Sequence, residues 1–388
     1  MRAHFHLLSG DQRRESGGGR AGWQHSSSSN NNDFTTGRPA LKDLPAICGA
    51  SRIQVDLARP DHSTAWLIER VMRERVGFLR GDTRVRVARR RGGSLDSAAV
   101  FRVVGPDLRW QLEGLLARDP EDGAALDAVL RRAVTDAGTE GARRVFARLP
   151  GDIATDGALR RSGFVPFATE SVYMLADEDR HEHIEPSPLV RRVHPADVWG
   201  IHQLYLEVVP RQVQYAEAVT SRTWERSRPL KPGLRRASGW VVEDRGRIRG
   251  YARVSTEEEP RVVRLDLLID PTLRGLAPDL IRTAVSEASN LHGMPCVVAV
   301  PGYSHELHQP LQDAGFIHVG DQTAWVCYTT VPARSYIVAV DLGSQVAVEP
   351  QRARVPGFGG AGMTVIEYPV GVETHGSQTM TGERDRHP

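Results

Sequence analysis

A strand, a turn and a helix follow one another in the segment Arg264-Leu-Asp-Leu-Leu-Ile-Asp-Pro-Thr-Leu-Arg-Gly-Leu-Ala-Pro-Asp-Leu-Ile-Arg-Thr-Ala-Val285. A short apolar run of strand length stops at Asp270-Pro271, and apolar residues return at helical spacing after Pro278. Backbone N–H groups at the start of such a helix lack partners and face the positive end of its dipole. The turn, which contains Arg274 and Gly275, therefore predicts an anion site of the kind that binds phosphate.

Length and composition favour a globular protein with more than one domain. The chain has 388 residues, of which 40% are hydrophobic and 25% charged. This length exceeds one ordinary domain and predicts two domains plus tails. No apolar run approaches the roughly 20 residues of a membrane span, and the apolar patch near the N-terminus is too short for a signal peptide. We therefore expect a cytoplasmic protein without a membrane partner.

Net charge, cysteines and histidines bear on possible nucleic-acid or membrane partners, disulfides and metal sites. A net charge of +2 demands neither a nucleic-acid partner nor an acidic membrane. Cys48, Cys296 and Cys327 form no CxxC pair and are interpreted as reduced thiols. The segment His305-Glu-Leu-His308 lacks the HExxH spacing, and no third ligand is evident, so we expect no metal site.

The composition and the hydrophobic pattern of the chain change at four places. Residues 1–50 are rich in glycine, serine and asparagine and predict a disordered tail. Residues 51–176 and 189–331 each show strand and helix patterns, and an acidic, proline-containing linker at 177–188 separates them. Residues 332–388 predict a second, largely disordered tail.

The two patterned blocks repeat one another. Matching dipeptides recur at a separation of 151 or 152 residues through turn, helix and strand. The matched pairs are Asp119-Pro120 with Asp270-Pro271, Pro150-Gly151 with Pro301-Gly302, and Gly163-Phe164 with Gly315-Phe316. A register kept over this length predicts a duplicated domain.

The block pattern resembles the GNAT superfamily of acyl-CoA-dependent N-acetyltransferases. The resemblance lies in hairpin strands, a strand ending in Asp-Pro-x-x-Arg-Gly, a helix, a strand, and Leu-x-x-x-Gly-Phe before a final strand. It covers residues 186–331 well and 53–176 less well. It implies an α/β (α+β) protein of two tandem domains, each a mixed, mostly antiparallel sheet flanked by helices.

The resemblance also implies a site for acetyl-CoA as co-substrate. In the family, backbone N–H groups of the turn hold the pyrophosphate in the pattern Gln/Arg-x-x-Gly-x-Gly/Ala, and the splayed strand before it takes the acyl-pantetheine arm. Arg274 matches the first position of this pattern. Ala277 replaces its first glycine, and Asp279 replaces the Gly/Ala at its end. The first block has Gly123 where Arg274 stands, so we expect it to bind no coenzyme A. The predicted cofactor-binding residues are Leu267, Leu268, Ile269, Arg274, Gly275, Leu276 and Ala277.

Acyl transfer to an amine needs a base for the ammonium proton and an acid for the leaving thiolate. The resemblance implies a strand carboxylate, which Asp266 would supply, and a tyrosine four residues before Gly-Phe. Leu311 occupies that tyrosine position, and Tyr303 is the nearest substitute. Two alternatives stay open, namely that Asp266 is a surface strand residue and that Arg274 is an ordinary helix-entry arginine.

Two functions follow from these residues. The first is an N-acyltransferase that moves an acetyl group to a small-molecule or peptide amine. The second is a catalytically inactive pair of acyltransferase-like domains that serves as a binding or interaction module, because family residues are replaced at Ala277, Asp279 and Leu311.

Overall fold

The computed structural model describes residues 33–59, 63–75, 81–105, 109–176, 188–225, 237–258, 261–289 and 294–329. Within these ranges a single sheet of 13 strands forms the centre of the protein. No helix among the described residues is long and apolar enough to cross a membrane.

The first half of the sheet is built from residues 34–175. Its elements are β1 (Phe34–Gly37), α1 (Leu44–Gly49), β2 (Ser51–Ile53), α2 (Thr64–Arg75), β3 (Thr83–Arg90), β4 (Leu95–Val104), β5 (Arg109–Ala117), α3 (Gly123–Thr139), β6 (Arg144–Leu149), α4 (Ile153–Arg161) and β7 (Val165–Leu175).

The second half is built from residues 190–328. Its elements are β8 (Val190–Arg192), α5 (Val198–Val208), α6 (Arg211–Glu217), β9 (Ala237–Asp244), β10 (Arg247–Glu258), β11 (Arg261–Ile269), α7 (Ala277–Ser289), β12 (Cys296–Pro301), α8 (His308–Asp313) and β13 (Ile317–Tyr328). Apart from β2, each element of the first half has a counterpart in the same order in the second. The predicted duplication is therefore visible as a repeated order of elements.

The predicted fold class is confirmed. The parallel pairs are β5 with β6 and β11 with β12, and the other described strand pairs are antiparallel. Helices α3, α4, α7 and α8 pack on one face of the sheet, here called the rear face. Helices α1, α2, α5 and α6 pack on the opposite, front face.

The repeated Leu-x-x-x-Gly-Phe motif ends a helix in each half. Gly163 and Gly315 adopt φ values of 89° and 88°, a left-handed conformation that favours glycine. The amides that follow reach back over the last turn, from Phe164 to the carbonyl of Leu159 and from Phe316 to that of Leu311, each at 3.0 Å. This arrangement is a Schellman-type cap, which explains why the motif predicts a helix end so well.

The first half begins earlier than the sequence predicted. Residues 33–50 were expected to be disordered, but β1 pairs with β3 and Ile47 of α1 is buried in a core with α2. This prediction was wrong because two short elements carry too few apolar residues to show a period. Residues 1–32, 177–187 and 330–388, which include the other predicted tail and nearly all of the linker, lie outside the described residues.

The halves exchange their last strands. The order across the sheet is β1-β3-β4-β5-β6-β13-β7-β12-β11-β10-β9-β8. Strand β13 of the second half pairs with β6, where Trp325 lies opposite Ala147, and β7 of the first half pairs with β12, where Tyr173 lies opposite Val298. Trp325 is 1% exposed in the core beneath α3. Each half therefore completes the core of the other.

Candidate functional site

The parallel strand pairs separate soon after they meet. Strands β5 and β6 are paired only at Trp110 with Val145 and at Gln111 with Phe146. Strands β11 and β12 are paired at three positions, the last being Leu265 with Val298. Beyond these points each pair opens into a slot, the first slot between residues 112–117 and 147–149 and the second between residues 266–269 and 299–301.

The first slot is filled by the protein's own chain. Strand β2 lies antiparallel to the free edge of β5, with Ile53 opposite Leu115. Three residues later the N–H group of Asp56 donates to the carbonyl of Arg148 on β6 at 2.8 Å. Val55 between them is 7% exposed and belongs to the core beneath α3. The segment of residues 51–56, here called the plug, thus bridges both edges of the first slot.

The backbone groups at the start of α3, beside the first slot, are hydrogen-bonded by the protein's own side chains. The carboxylate of Asp122 accepts hydrogen bonds from the N–H groups of Ala124 and Ala125, at 3.1 and 3.2 Å. Arg161 donates to the carbonyl of Gly123 at 3.0 Å. An Asp cap satisfies the groups that would otherwise bind an anion. The structure thus adds two physical reasons to the expectation that the first half binds no coenzyme A.

The second slot has no equivalent plug among the described residues. The connection from α5 to α6 consists of residues 209–210, whereas the one from α1 to α2 spans residues 50–63 and carries the plug. Strand β11 pairs with β10 along its outer edge, and its inner edge has no described partner after Leu265. Backbone groups of residues 266–269 on that edge are therefore available to a ligand.

The predicted cofactor residues on β11 lie on both faces of the slot. Ile269 is 3% exposed in the rear core, and Leu267 packs against the same core. Leu268 points to the front face, where it packs against the buried cluster of Tyr205, Val209 and Val213. Strand alternation produces this division, so Leu268 and Asp266 are the side chains on the free edge that face the front of the slot.

One of the backbone N–H groups in the turn after β11 is hydrogen-bonded to an aspartate of the same turn. The carboxylate of Asp270 accepts from the N–H of Thr272 at 2.9 Å and from the guanidinium of Arg249 at 2.7 Å. Burial opposes ionisation, but these hydrogen bonds and the Arg249 charge hold the pKa of Asp270 below its usual range. Sequence reasoning missed this cap. The N–H groups of Leu273 and Ala277 also have backbone partners.

The remaining predicted residues of the turn lie at its outer surface. Arg274 and Gly275 are exposed, Leu276 is partly buried, and Ala277 is buried against the rear core. Asp279 directs its carboxylate along the helix to Arg282, at 3.5 Å. The carboxylate that would repel a pyrophosphate is thus balanced by a neighbouring guanidinium.

Asp266, the predicted base, forms a surface ion pair. Its side chain is 48% exposed and its carboxylate lies 3.5 Å from the guanidinium of Arg264 on the same strand. Arg264 also lies 3.8 Å from the carboxylate of Asp56 in the plug. This placement matches the open alternative in which Asp266 is a surface strand residue.

Tyr303, the predicted acid, lies at the front of the second slot. It lies two residues after the end of β12 and packs against the same buried cluster as Leu268, which includes Tyr205 of α5. Burial, followed by the nearby carboxylates of Glu217 and Glu170, raises the pKa of its hydroxyl, against the opposing charge of Arg148. The phenol is therefore protonated at neutral pH and can act as a proton donor. Leu311, at the family's tyrosine position, is fully buried in the rear core.

Glu217 is a site residue that sequence reasoning missed. It is the last residue of α6, and its carboxylate accepts a hydrogen bond from the hydroxyl of Tyr205 at 2.9 Å. Burial raises the pKa of Glu217 despite the opposing hydrogen bond and the charges of nearby arginines. The available signal was its spacing, since Val213, Ala216 and Glu217 follow the i, i+3, i+4 rule of a buried helix face.

Charged side chains of opposite sign pair next to these residues, on the adjacent strands β6, β13 and β7 where the two halves meet, here called the seam. Arg148 donates to the carboxylate of Glu170 at 2.9 Å, and Gln322 of the exchanged strand β13 donates to it at 2.8 Å. Glu170 in turn raises the pKa of Arg148. The guanidinium nearest to the front of the slot is thus committed to a partner.

The histidines of the predicted segment 305–308 have different surroundings. His308 accepts or donates a 2.6 Å hydrogen bond with Tyr173 beneath α8, and His305 is exposed. Among the described residues no three His, Cys, Asp or Glu side chains are arranged to hold a metal ion.

Each half has a parallel pair of splayed strands, a helix after the first of them, and a Gly-Phe cap before the final strand. Both halves therefore have a GNAT-like fold. This fold is reached through the strand exchange and not through two separate sheets.

Comparisons with known proteins agree in kind but are distant. No protein-family model and no curated protein matches the chain. A GCN5-related N-acetyltransferase from Sphaerobacter thermophilus is 15% identical, with a TM-score of 0.49, over 78% of this chain and 97% of that one. A tandem GNAT protein from the clavulanic acid biosynthesis pathway is 17% identical, with a TM-score of 0.39, over 66% and 87%. A GCN5-related N-acetyltransferase from Anabaena variabilis is 13% identical, with a TM-score of 0.37, over 77% of this chain and 73% of that one. We base no argument about this chain on likenesses at this level.

Proposed function

We propose that the protein is an acyl-CoA-dependent N-acyltransferase that transfers an acetyl group from acetyl-CoA to an amine. One observation carries the proposal, namely that among the described residues the second slot keeps a free strand edge whereas the first is bridged by the plug. A chain that needed neither slot would have no reason to fill only one of them.

The second slot offers groups that fit the two ends of acetyl-CoA. Backbone N–H and C=O groups on the free edge of residues 266–269 would pair with the amide-containing pantetheine arm, between Leu267 and Leu268. At the turn, Arg274 and the N–H groups near Gly275 and Leu276 would contact the pyrophosphate. Acetyl-CoA supplies the activated thioester.

Acid and base roles are proposed for residues at the same opening. Tyr303, protonated at neutral pH, would give its proton to the leaving thiolate. Two carboxylates are candidates for the base. They are Asp266, at the exposed edge of β11, and Glu217, on the front side of the slot.

Calorimetric titration with acetyl-CoA tests the proposal. We expect binding in the micromolar range for the wild-type chain and at least tenfold weaker binding for Arg274→Ala, because a charge-assisted contact to phosphate is lost. Arg247→Ala is the matched control, since Arg247 lies on β10 and forms an exposed ion pair with Glu207. Absence of binding at millimolar acetyl-CoA would reject the enzyme and leave the inactive interaction module.

A further inference from the structure

The front of the second slot is bordered by an apolar cluster to which both slot strands contribute. Leu268 comes from β11, and Tyr303 follows β12. Tyr205, Val213 and Phe167 complete this front cluster. Because Leu268 and Tyr303 stand on opposite sides of the slot, any thioester held between the strands would meet the front cluster first on leaving the sheet. An acceptor approaching from the front must therefore lie against these apolar side chains.

Glu217 lies at the edge of this cluster, and its carboxylate can accept further hydrogen bonds or pair with a cation. One of its oxygens accepts the hydroxyl of Tyr205, and no described side chain forms an ion pair with it within 4.0 Å. Arg148 is held by Glu170, and Arg109 donates to the carbonyl of Ala218 at 3.0 Å. Burial of a carboxylate is costly unless a cation or further donors satisfy it.

We propose that Glu217 binds the ammonium group of the acceptor and removes its proton, and that the acceptor is a small primary amine carried on an apolar or aromatic group. The ammonium would supply the cation that Glu217 lacks, and the front cluster would cover the apolar group. This inference rests on the function proposed above and identifies the class of amine used at that site.

The proton and electron balance of the step is complete. The ammonium passes one proton to the Glu217 carboxylate, and the neutral amine attacks the thioester carbon to form the C–N bond. As the C–S bond breaks, the thiolate takes the proton of the Tyr303 hydroxyl. The nitrogen loses its second proton, which restores the Tyr303 phenol. The proton on Glu217 then leaves to water, and the products are an amide and free coenzyme A.

Tyr205 acts in this scheme as a positioning residue. Its hydroxyl donates to Glu217 and so stabilises the charged form of the carboxylate. Its ring packs against that of Trp224, with 5.6 Å between the ring centroids. The titratable groups that face Glu217 from the elements around it are Tyr205 on α5, Tyr303 after β12, Arg109 on β5, Arg148 on β6 and Glu170 on β7.

The test compares 2-phenylethylamine with its uncharged isostere 2-phenylethanol by calorimetry on the full chain at pH 8. We expect wild type to bind the amine at least tenfold more tightly than the alcohol, and Glu217→Gln to reduce this preference below twofold. Glu207→Gln is the matched control and should keep the preference, since Glu207 forms an exposed ion pair with Arg247. In Tyr205→Phe the loss of amine binding on acidification should shift to higher pH, because the charged carboxylate loses a donor.

Several results would overturn the inference. Equal affinity for amine and alcohol in wild type would do so without any variant, and so would failure to bind either compound. A preference retained in Glu217→Gln would remove the carboxylate from the recognition. Acetyl-CoA titration of the same samples separates the two proposals. Acetyl-CoA binding without amine preference rejects only this inference, whereas amine preference without acetyl-CoA binding rejects the acyltransferase.

Discussion

Replacement of Trp325 by alanine should destabilise the first half of the protein, although Trp325 belongs to the second. Strand β13 carries Trp325 into the core beneath α3, where it lies opposite Ala147 and is 1% exposed. Truncation of a fully buried tryptophan to alanine costs about 3–5 kcal/mol, since the site cannot collapse around the lost ring. At roughly 1.4 kcal/mol for each factor of ten, the population of the open state should rise between about a hundredfold and a few thousandfold.

Amide hydrogen exchange in α3 measures this effect where it should occur. The amides of residues 123–139 should exchange faster in Trp325→Ala by the factor given above if they open with the core. Trp199→Ala is the control, because Trp199 on α5 is 59% exposed and its loss should change stability by no more than about 0.5 kcal/mol. Unchanged exchange in α3, with a loss of protection confined to residues 237–301, would refute the strand exchange and favour two separate domains.

Three further predictions concern charged groups and the first slot. Glu170→Leu should cost about 3–5 kcal/mol in urea denaturation, because it leaves the buried guanidinium of Arg148 without its carboxylate. Asp270→Asn should destabilise the chain above pH 4 and cost progressively less below it. The folded pKa of Asp270 lies below its ordinary value of 3.8, so its stabilising effect is present above that value and is lost as pH falls through the folded pKa; melting curves from pH 2 to 7 would show whether the difference persists in acid. Gly123→Arg should leave acetyl-CoA binding unchanged in calorimetry, since the first slot is filled, and an additional binding site would contradict the plug.

The features that sequence predicted are local ones. Gly315-Phe316 marks a helix end because its cap involves only the preceding turn, and Asp270-Pro271 marks a strand end for the same kind of reason. The plug and the strand exchange depend on pairing between residues distant in sequence, such as Ile53 with Leu115 and Trp325 with Ala147. Periodicity indicates that a segment is a strand but does not identify its neighbour. Both features therefore required the structure.

The candidate site was predictable to a smaller extent than the fold. Tyr303 was predicted from its position after Pro301-Gly302, and the structure brings it to the opening of the second slot. Asp266 was assigned as the strand carboxylate that the family resemblance implies, and the structure shows it exposed and paired with Arg264. Glu217 has no motif around it. Its position depends on how α6 packs across the seam, which spacing along one helix cannot reveal.

The loss of one slot supports the other. The plug reaches across the first slot because the α1–α2 connection is long enough to do so, at about 3.3 Å per extended residue. Its residue Asp56 is 1% exposed, and the charges of Arg264, Arg59 and Arg148 hold its pKa low against the effect of burial. Arg264 belongs to β11, the strand whose free edge borders the second slot. The segment that closes the first slot is therefore anchored to the strand that borders the second slot. The first half thus contributes to the geometry of the slot in which we propose that acetyl-CoA binds.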